Sequence, residues 1–244
     1  MKTVFTLLSG ACVVALLTGC SQGATNDAGA ASAPASGNVN WEKPLYTVNS
    51  DGDTIDIWTY DKAGNCVKHI SSKYYYSEVV NEYDAQNRLV KSTDSESATE
   101  YIYSPDGKLT EERLFIAGND EGQYDETVYT YNDKGQIATR HDVTGLYTYT
   151  YDSEGRLSTV DDDGDVYLQY EYLGEGDKAH REISQFFNAL YDDMGRCVYY
   201  SEEGGGDEVK YEYADNVRTA NITSIAVDTE EVRTMVEKTY YAVE

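Results

Sequence analysis

One turn, written at least six times, limits what this chain can become. The copies are Tyr60-Asp61 to Gly64 and Cys66, Tyr83-Asp84 to Asn87 and Leu89, Tyr103-Ser104 to Gly107 and Leu109, Tyr131-Asn132 to Gly135 and Ile137, Tyr151-Asp152 to Gly155 and Leu157, and Tyr191-Asp192 to Gly195 and Cys197. Weaker copies sit at Tyr170-Glu171-Tyr172 and Tyr211-Glu212-Tyr213. The mean period is about 22 residues, with insertions between the turns and none within them. Asp, Asn or Ser opens a type I turn by accepting bonds from its own backbone. Gly three residues later takes the left-handed conformation without a steric penalty, and Asn87 is the next best residue there. A type I turn followed by a left-handed residue makes a three-residue hairpin loop.

That loop predicts a register. An offset of six pairs Tyr60 with Cys66, Tyr83 with Leu89, Tyr103 with Leu109, Tyr131 with Ile137, Tyr151 with Leu157 and Tyr191 with Cys197. Every copy then faces a ring with an apolar or soft side chain, a pair worth roughly 0.2–1 kcal/mol. A two-residue loop would set the ring against Asn65, Arg88 or Lys108 instead.

Alternation sorts two faces. One carries Trp58, Tyr60, Tyr101, Tyr103, Tyr129, Tyr131, Tyr149, Tyr151, Tyr170 and Tyr172; the other carries Thr59, Glu82, Glu100, Thr130, Thr150, Gln169, Glu171, Lys210 and Glu212. This is the pattern of a half-buried antiparallel sheet. Val217 to Val227 and Val232 to Val243 read as two further strands that cap the array, and Lys178 to Leu190 has room for a turn of helix. The expectation is an all-β fold of tandem hairpins, about 15–17 strands. A sheet that long must curl, so it becomes an open barrel, a spiral or a folded-over sandwich.

Composition narrows the function. The formal charge is −25, which repels nucleic acid and excludes a DNA or RNA partner. Leu, Ile, Val and Phe make up just under a fifth of the chain, a share that with this charge normally means disorder. The 24 tyrosines offset this, because a large ring with a polar tip builds a core when it recurs at a fixed period.

The first residues are outside that pattern. Lys2 precedes an apolar run from Thr3 to Leu17, too short to span a bilayer and fit for a secretory signal. It ends in Leu17-Thr18-Gly19-Cys20, which resembles the bacterial lipobox; that resemblance implies cleavage before Cys20 and a diacylglycerol on its thiol. The alternatives are an ordinary signal cut near Gly19 or Ala24, and a lipobox at Cys12. The expected organisation is a signal over 1–19, a lipidated Cys20 with a flexible Ala/Ser/Gly/Asn tether over 20–44, and a repeat domain over 45–244. Ser21 after the Cys, in place of Asp, favours the outer membrane of a Gram-negative envelope.

Tyr151-Asp152-Ser153-Glu154-Gly155-Arg156-Leu157 is similar to the repeat of the YD (RHS) repeat family, and the resemblance extends over about residues 56–215. It implies hairpins that coil into a shell. Large members enclose a toxin domain or mediate adhesion. With about eight units and no toxin-sized C-terminal domain, this chain is similar to short secreted or lipidated members, and encapsulation does not carry over.

Chemistry is sparse. Cys66 and Cys197 both occupy the Leu position of the repeat and read as small buried residues; a disulfide between them would need the array to close on itself. The acidic turns Asn49–Asp53 and Asp161–Asp165 begin like calcium loops but lack the sixth-position Gly and the twelfth-position Glu, so Asp-Gly hairpins are the better reading. His69, His141 and His180 lack metal-ligand spacing, and no nucleophile, P-loop or metalloprotease motif is present. No catalytic residue, metal or cofactor is expected. The expected partners are a membrane, through the lipid on Cys20, and a protein or a glycan. Exposed rings in the runs Tyr74–Tyr76, Tyr199-Tyr200 and Tyr240-Tyr241 suit a glycan. The reading is a non-catalytic, envelope-anchored structural or adhesin-like module.

Overall fold

A computed structural model describes residues 39–173, 179–203, 206–225 and 232–243. The signal, Cys20 and most of the tether lie outside the described residues. The chain runs through β1 (Val39–Val48), β2 (Thr54–Tyr60), β3 (Cys66–Ser71), β4 (Ser77–Tyr83), β5 (Leu89–Thr93) and β6 (Ser97–Tyr103). It continues through β7 (Leu109–Ile116), β8 (Asp125–Tyr131), β9 (Ile137–Asp142), β10 (Gly145–Tyr151), β11 (Leu157–Asp162) and β12 (Asp165–Glu171). The last strands are β13 (Arg181–Ser184), β14 (Phe187–Tyr191), β15 (Cys197–Glu202), β16 (Asp207–Ala214), β17 (Val217–Ile225) and β18 (Val232–Val243). Each strand pairs antiparallel with the next, and β18 pairs with β1.

The all-β expectation holds, and the open question of how the sheet curls is settled. Eighteen strands form one closed ring, a little above the expected count. β1 begins at Val39, so the wall takes in residues 39–44 of the stretch read as tether. The two terminal strands stand where the sequence puts them, as β17 and β18, and they make the closure. Where a turn of helix was possible, residues 181–184 and 187–191 are strands. Among the described residues the backbone of each strand comes close only to its two ring neighbours, while side chains such as Trp41 on β1 and Tyr213 on β16 meet across intervening strands. Eighteen strands about 4.8 Å apart give a perimeter on the order of 90 Å, more than side chains can fill. The wall therefore surrounds a lumen.

All six predicted pairs are present, from Tyr60 opposite Cys66 to Tyr191 opposite Cys197. The loop closes as the turn chemistry requires. In the first copy the Asp61 amide donates to the Asn65 carbonyl, the Gly64 amide donates to the Asp61 carbonyl, and Gly64 sits at φ 91°. Asp61 Oδ1 accepts from the amides of Ala63 and Asn65. Asn87 stands in for glycine at φ 60°. Asn49–Asp53 uses this same three-residue loop, with Gly52 at φ 88°, in place of the two-residue Asp-Gly turn expected there. Asp163-Gly164 does form the two-residue turn, both residues at positive φ.

Each copy also holds a feature the pattern did not announce. Thr59 pairs with Lys68 while Tyr60 pairs with Cys66, so Val67 is an extra residue. The same β-bulge follows each of the six turns. A bulge unpairs part of the ladder. The tyrosine of the next hairpin supplies a replacement bond. Tyr83 Oη donates to the Cys66 carbonyl at 3.0 Å, Tyr103 to Leu89 at 2.8 Å, Tyr131 to Leu109 at 2.6 Å and Tyr151 to Ile137 at 2.8 Å. Tyr172 donates to Leu157 at 2.7 Å and Tyr213 to Cys197 at 2.8 Å. The residue after Gly completes the link. Arg88, Arg156 and Arg196 each bond the Asp that opens their own turn and lie 4.5, 4.3 and 4.4 Å from the ring centroid of Tyr103, Tyr172 and Tyr213.

This interlocking takes the place of a deep core. No side chain among the described residues is completely buried, and the apolar cluster is small: Val209, Ala220 and Ile222, with Tyr200 and Tyr211 against them. Replacing Tyr151 by Phe keeps the ring but leaves the Ile137 carbonyl without its donor. A loss of about 1 kcal/mol is expected by denaturant titration. Gly64→Ala meets no neighbouring atom, so its expected loss of about 1 kcal/mol reports backbone strain at φ 91° alone.

Candidate functional surfaces: the lumen face and two unlike rims

The meander divides the loops between two ends. All the Tyr-Asp turns, which follow even-numbered strands, lie on one rim, together with the start of β1 and the end of β18. The loops after odd-numbered strands form the opposite rim. They vary from two residues, as at Val143-Thr144, to the eight of Ala117–Tyr124. Charge divides the same way. The turn rim carries Lys62, Arg88, Lys108, Lys134, Arg156 and Arg196 among its carboxylates. In the described loops of the far rim Lys73 is the one cation, set among Asp51, Asp94, Glu96, Asp120, Glu121 and Asp163.

The crowded face of the wall is the tyrosine face, as alternation predicts. Trp58, Tyr60, Tyr129, Tyr149 and Tyr170 are half-buried, while Thr59, Glu82, Thr130, Thr150, Gln169, Glu171, Lys210 and Glu212 are exposed. Outer-membrane barrels carry an apolar band on the outside. Here the outward positions mix carboxylates and hydroxyls with exposed aliphatic residues, among them Ile57, Val80, Val128 and Leu146.

The lumen side holds two carboxylates bonded to phenols. Tyr129 Oη donates to Glu112 at 2.9 Å. Tyr170 and Tyr191 both donate to Glu182, at 3.1 and 2.8 Å. Burial, then the charge and bond of the carboxylate, push the Tyr129, Tyr170 and Tyr191 hydroxyls far up, so they stay protonated donors. Burial also holds Glu112 above the usual carboxylate range, against the pull of its Tyr129 bond. Arg140 on β9, paired in the ladder with Tyr129 and Tyr147, is bonded to Asp142 at 2.7 Å and lies 4.2 Å from the Tyr147 ring centroid. Such phenol–carboxylate pairs fix rotamers and satisfy buried polar atoms.

The single chemistry-bearing residues do not converge. Cys66 and Cys197 stand at the starts of β3 and β15, and ring closure still leaves six strand steps between them. Burial pushes the Cys197 thiol to about 11, so it is inert at neutral pH. His69 stacks on Trp58 at 4.7 Å and bonds Asp56 at 3.3 Å. His141 is exposed on β9, and His180 precedes β13. Among the described residues no three His, Cys, Asp or Glu side chains form a metal-sized group. The Tyr74–Tyr76 run is exposed at 76, 70 and 68 %, all three rings together, because it lies in the β3–β4 loop and not in a strand. In the other doublets Tyr241 is buried and Tyr240 stacks on Tyr46 at 4.6 Å.

Sequence reasoning missed the hydroxyl-to-carbonyl bonds and the cations over Tyr103, Tyr131, Tyr172 and Tyr213. A signal for both was present. A cation follows Gly or Asn87 in four of the copies, and the bonded tyrosine comes 14 to 22 residues after its acceptor.

These features define a closed shell of YD-type β-hairpins, a structural module. The Teneurin YD-shell family matches residues 38–202, and the chain belongs to that family. Two solved structures are similar to it at low identity. One is a porin-like protein from Bacteroides uniformis, 15 % identical, with a TM-score of 0.39 over 83 % of this chain and 95 % of that one. The other is a TcdB2-TccC3-Cdc42 structure, 14 % identical, with a TM-score of 0.33 over 75 % of this chain and 12 % of that one. The chain therefore spans about an eighth of that larger polypeptide. No curated protein matches the sequence.

Glu112 gives a pH test. Its folded-state pKa lies above the unfolded value, so its contribution is favourable while it is protonated and is lost as pH rises through the folded pKa. Glu112→Gln keeps an acceptor for Tyr129 and removes the buried charge. Melting should be higher than wild type at pH 7, and the gap should close as pH is lowered through the Glu112 titration.

Proposed function

We propose that this protein is a non-catalytic, extracytoplasmic interaction module held to a bacterial membrane, in the outer membrane of a Gram-negative envelope, by lipid on Cys20. The observation that carries this reading is the position of the chain ends. The wall starts at Val39 on the Tyr-Asp turn rim, the end of the ring opposite the variable, acidic rim. A diacylglycerol supplies the two chains that stable anchoring needs. Catalysis is not part of the reading: the buried carboxylates Glu112 and Glu182 are bonded to phenols within the wall.

Mass spectrometry of the mature N-terminus tests it, with a diacylated Cys20 as the expected first residue. Cys20→Ser should move the protein from the membrane fraction to the soluble one. An unmodified N-terminus elsewhere removes the anchor.

A second reading, glycan binding, draws on the three exposed rings of Tyr74–Tyr76. It requires saturable binding on a glycan array that is lost when those tyrosines become Ala.

A further inference from the structure

The ring closes along most of its height, and fails to close at one place. β1 follows β18 only from Val243 to Lys238, where Val48 is the last partner; Asn49 then turns away into the loop to β2. β18 continues for six more residues, Val232 to Glu237, bonded to β17 on one side. Among the described residues no strand pairs with the other side of that stretch. Val232, Met235 and Val236 are 59, 42 and 37 % exposed. Val232 and Val236 share one face of the strand and Met235 points to the other, so both faces of the ribbon are apolar and wet. A bare edge with apolar side chains is a template for another strand.

The surroundings say what kind of strand fits. Lys73 reaches over the β1–β2 turn and pairs with Glu237 at 2.8 Å, which sets the exposed Tyr74–Tyr76 loop beside the edge. Asp51 and Asp53 stand on the β1–β2 turn beside it, and Arg233 lies on the strand itself. The chain's charge of −25 repels an acidic segment, while carboxylates and ring faces both attract Lys and Arg. A second copy of this chain brings the same acidic rim. Antiparallel edge pairing would also point the two turn rims in opposite directions, away from a shared membrane.

We propose that the edge of β18 from Val232 to Glu237 captures an extended, basic segment of a partner polypeptide by strand addition, with Tyr74–Tyr76 closing over it. Backbone bonds supply affinity, alternate apolar side chains on the incoming strand meet Val232 and Val236, and its cations meet the acidic β1–β2 turn. This rests on the reading of the shell as an interaction module. A chain that is lipidated but bare at this edge sinks the capture site alone.

The test uses the full chain in detergent and a fluorescent 12-residue peptide of alternating Val and Lys, with a Val/Glu peptide as control. Binding of the Val/Lys peptide should slow amide exchange across 232–237. Val236→Lys or Met235→Lys should weaken binding about tenfold at unchanged melting temperature, since both side chains are exposed. Affinity should fall as salt rises. Protection elsewhere on the wall, equal binding of the Val/Glu peptide, or no loss in the lysine variants would overturn the proposal. So would a concentration-dependent dimer that the lysine variants abolish, which would assign the edge to a second copy. Displacement of the peptide by free saccharides would assign the loop to glycans. Exchange protection in the wild-type chain decides the matter even where a variant fails to fold.

Discussion

A phenol hydroxyl donated to a carbonyl beside a bulge holds this wall together. The three-residue loop obliges each hairpin to swallow an extra residue, and the bulge takes a stretch of backbone out of the ladder. Left to itself that stretch would be a weakness repeated around the ring. Tyr83, Tyr103, Tyr131, Tyr151, Tyr172 and Tyr213 each reach back one hairpin to the exposed acceptor. Phenylalanine would fill the same space and leave the acceptor bare, which accounts for tyrosine at these six positions.

Stability in such a wall is nearly one-dimensional, as in solenoids: each hairpin depends on the one before it and supports the one after. The arginine that bonds its own turn and covers the next ring ties two neighbouring units with one side chain. The scarcity of aliphatic residues, which on its own suggests a disordered chain, is what a hollow wall allows. There is no packed centre for them to occupy.

The hairpins were legible because their information is local. An Asp, a Gly and an offset of six fix the loop, the pair and the face, and all six pairs stand where they were expected. Closure was not legible. β1 and β18 meet across nearly the whole sequence through Val39–Val243 and Thr47–Thr239, and neither strand carries the turn signature. Nor was the lumen chemistry: Glu112 and Glu182 are two carboxylates in an acidic chain, and only the register shows that Tyr170 faces Glu182 directly. The loop at Asn49–Asp53 was read as a calcium-like or Asp-Gly turn, yet it is another copy of the repeat corner, lacking only the tyrosine before it.

Closure by the first and last strands also sets an order on assembly. A polypeptide that emerges N-terminus first can pair β1 with β2 at once but must hold the other edge of β1 unmated until the final dozen residues have been delivered. Until then the growing arc shows two raw margins, one at each tip, and every added hairpin merely moves the second of them. A chain cut short anywhere before β18 would keep both for good. Loss of a few C-terminal residues should therefore be far more damaging than their count suggests.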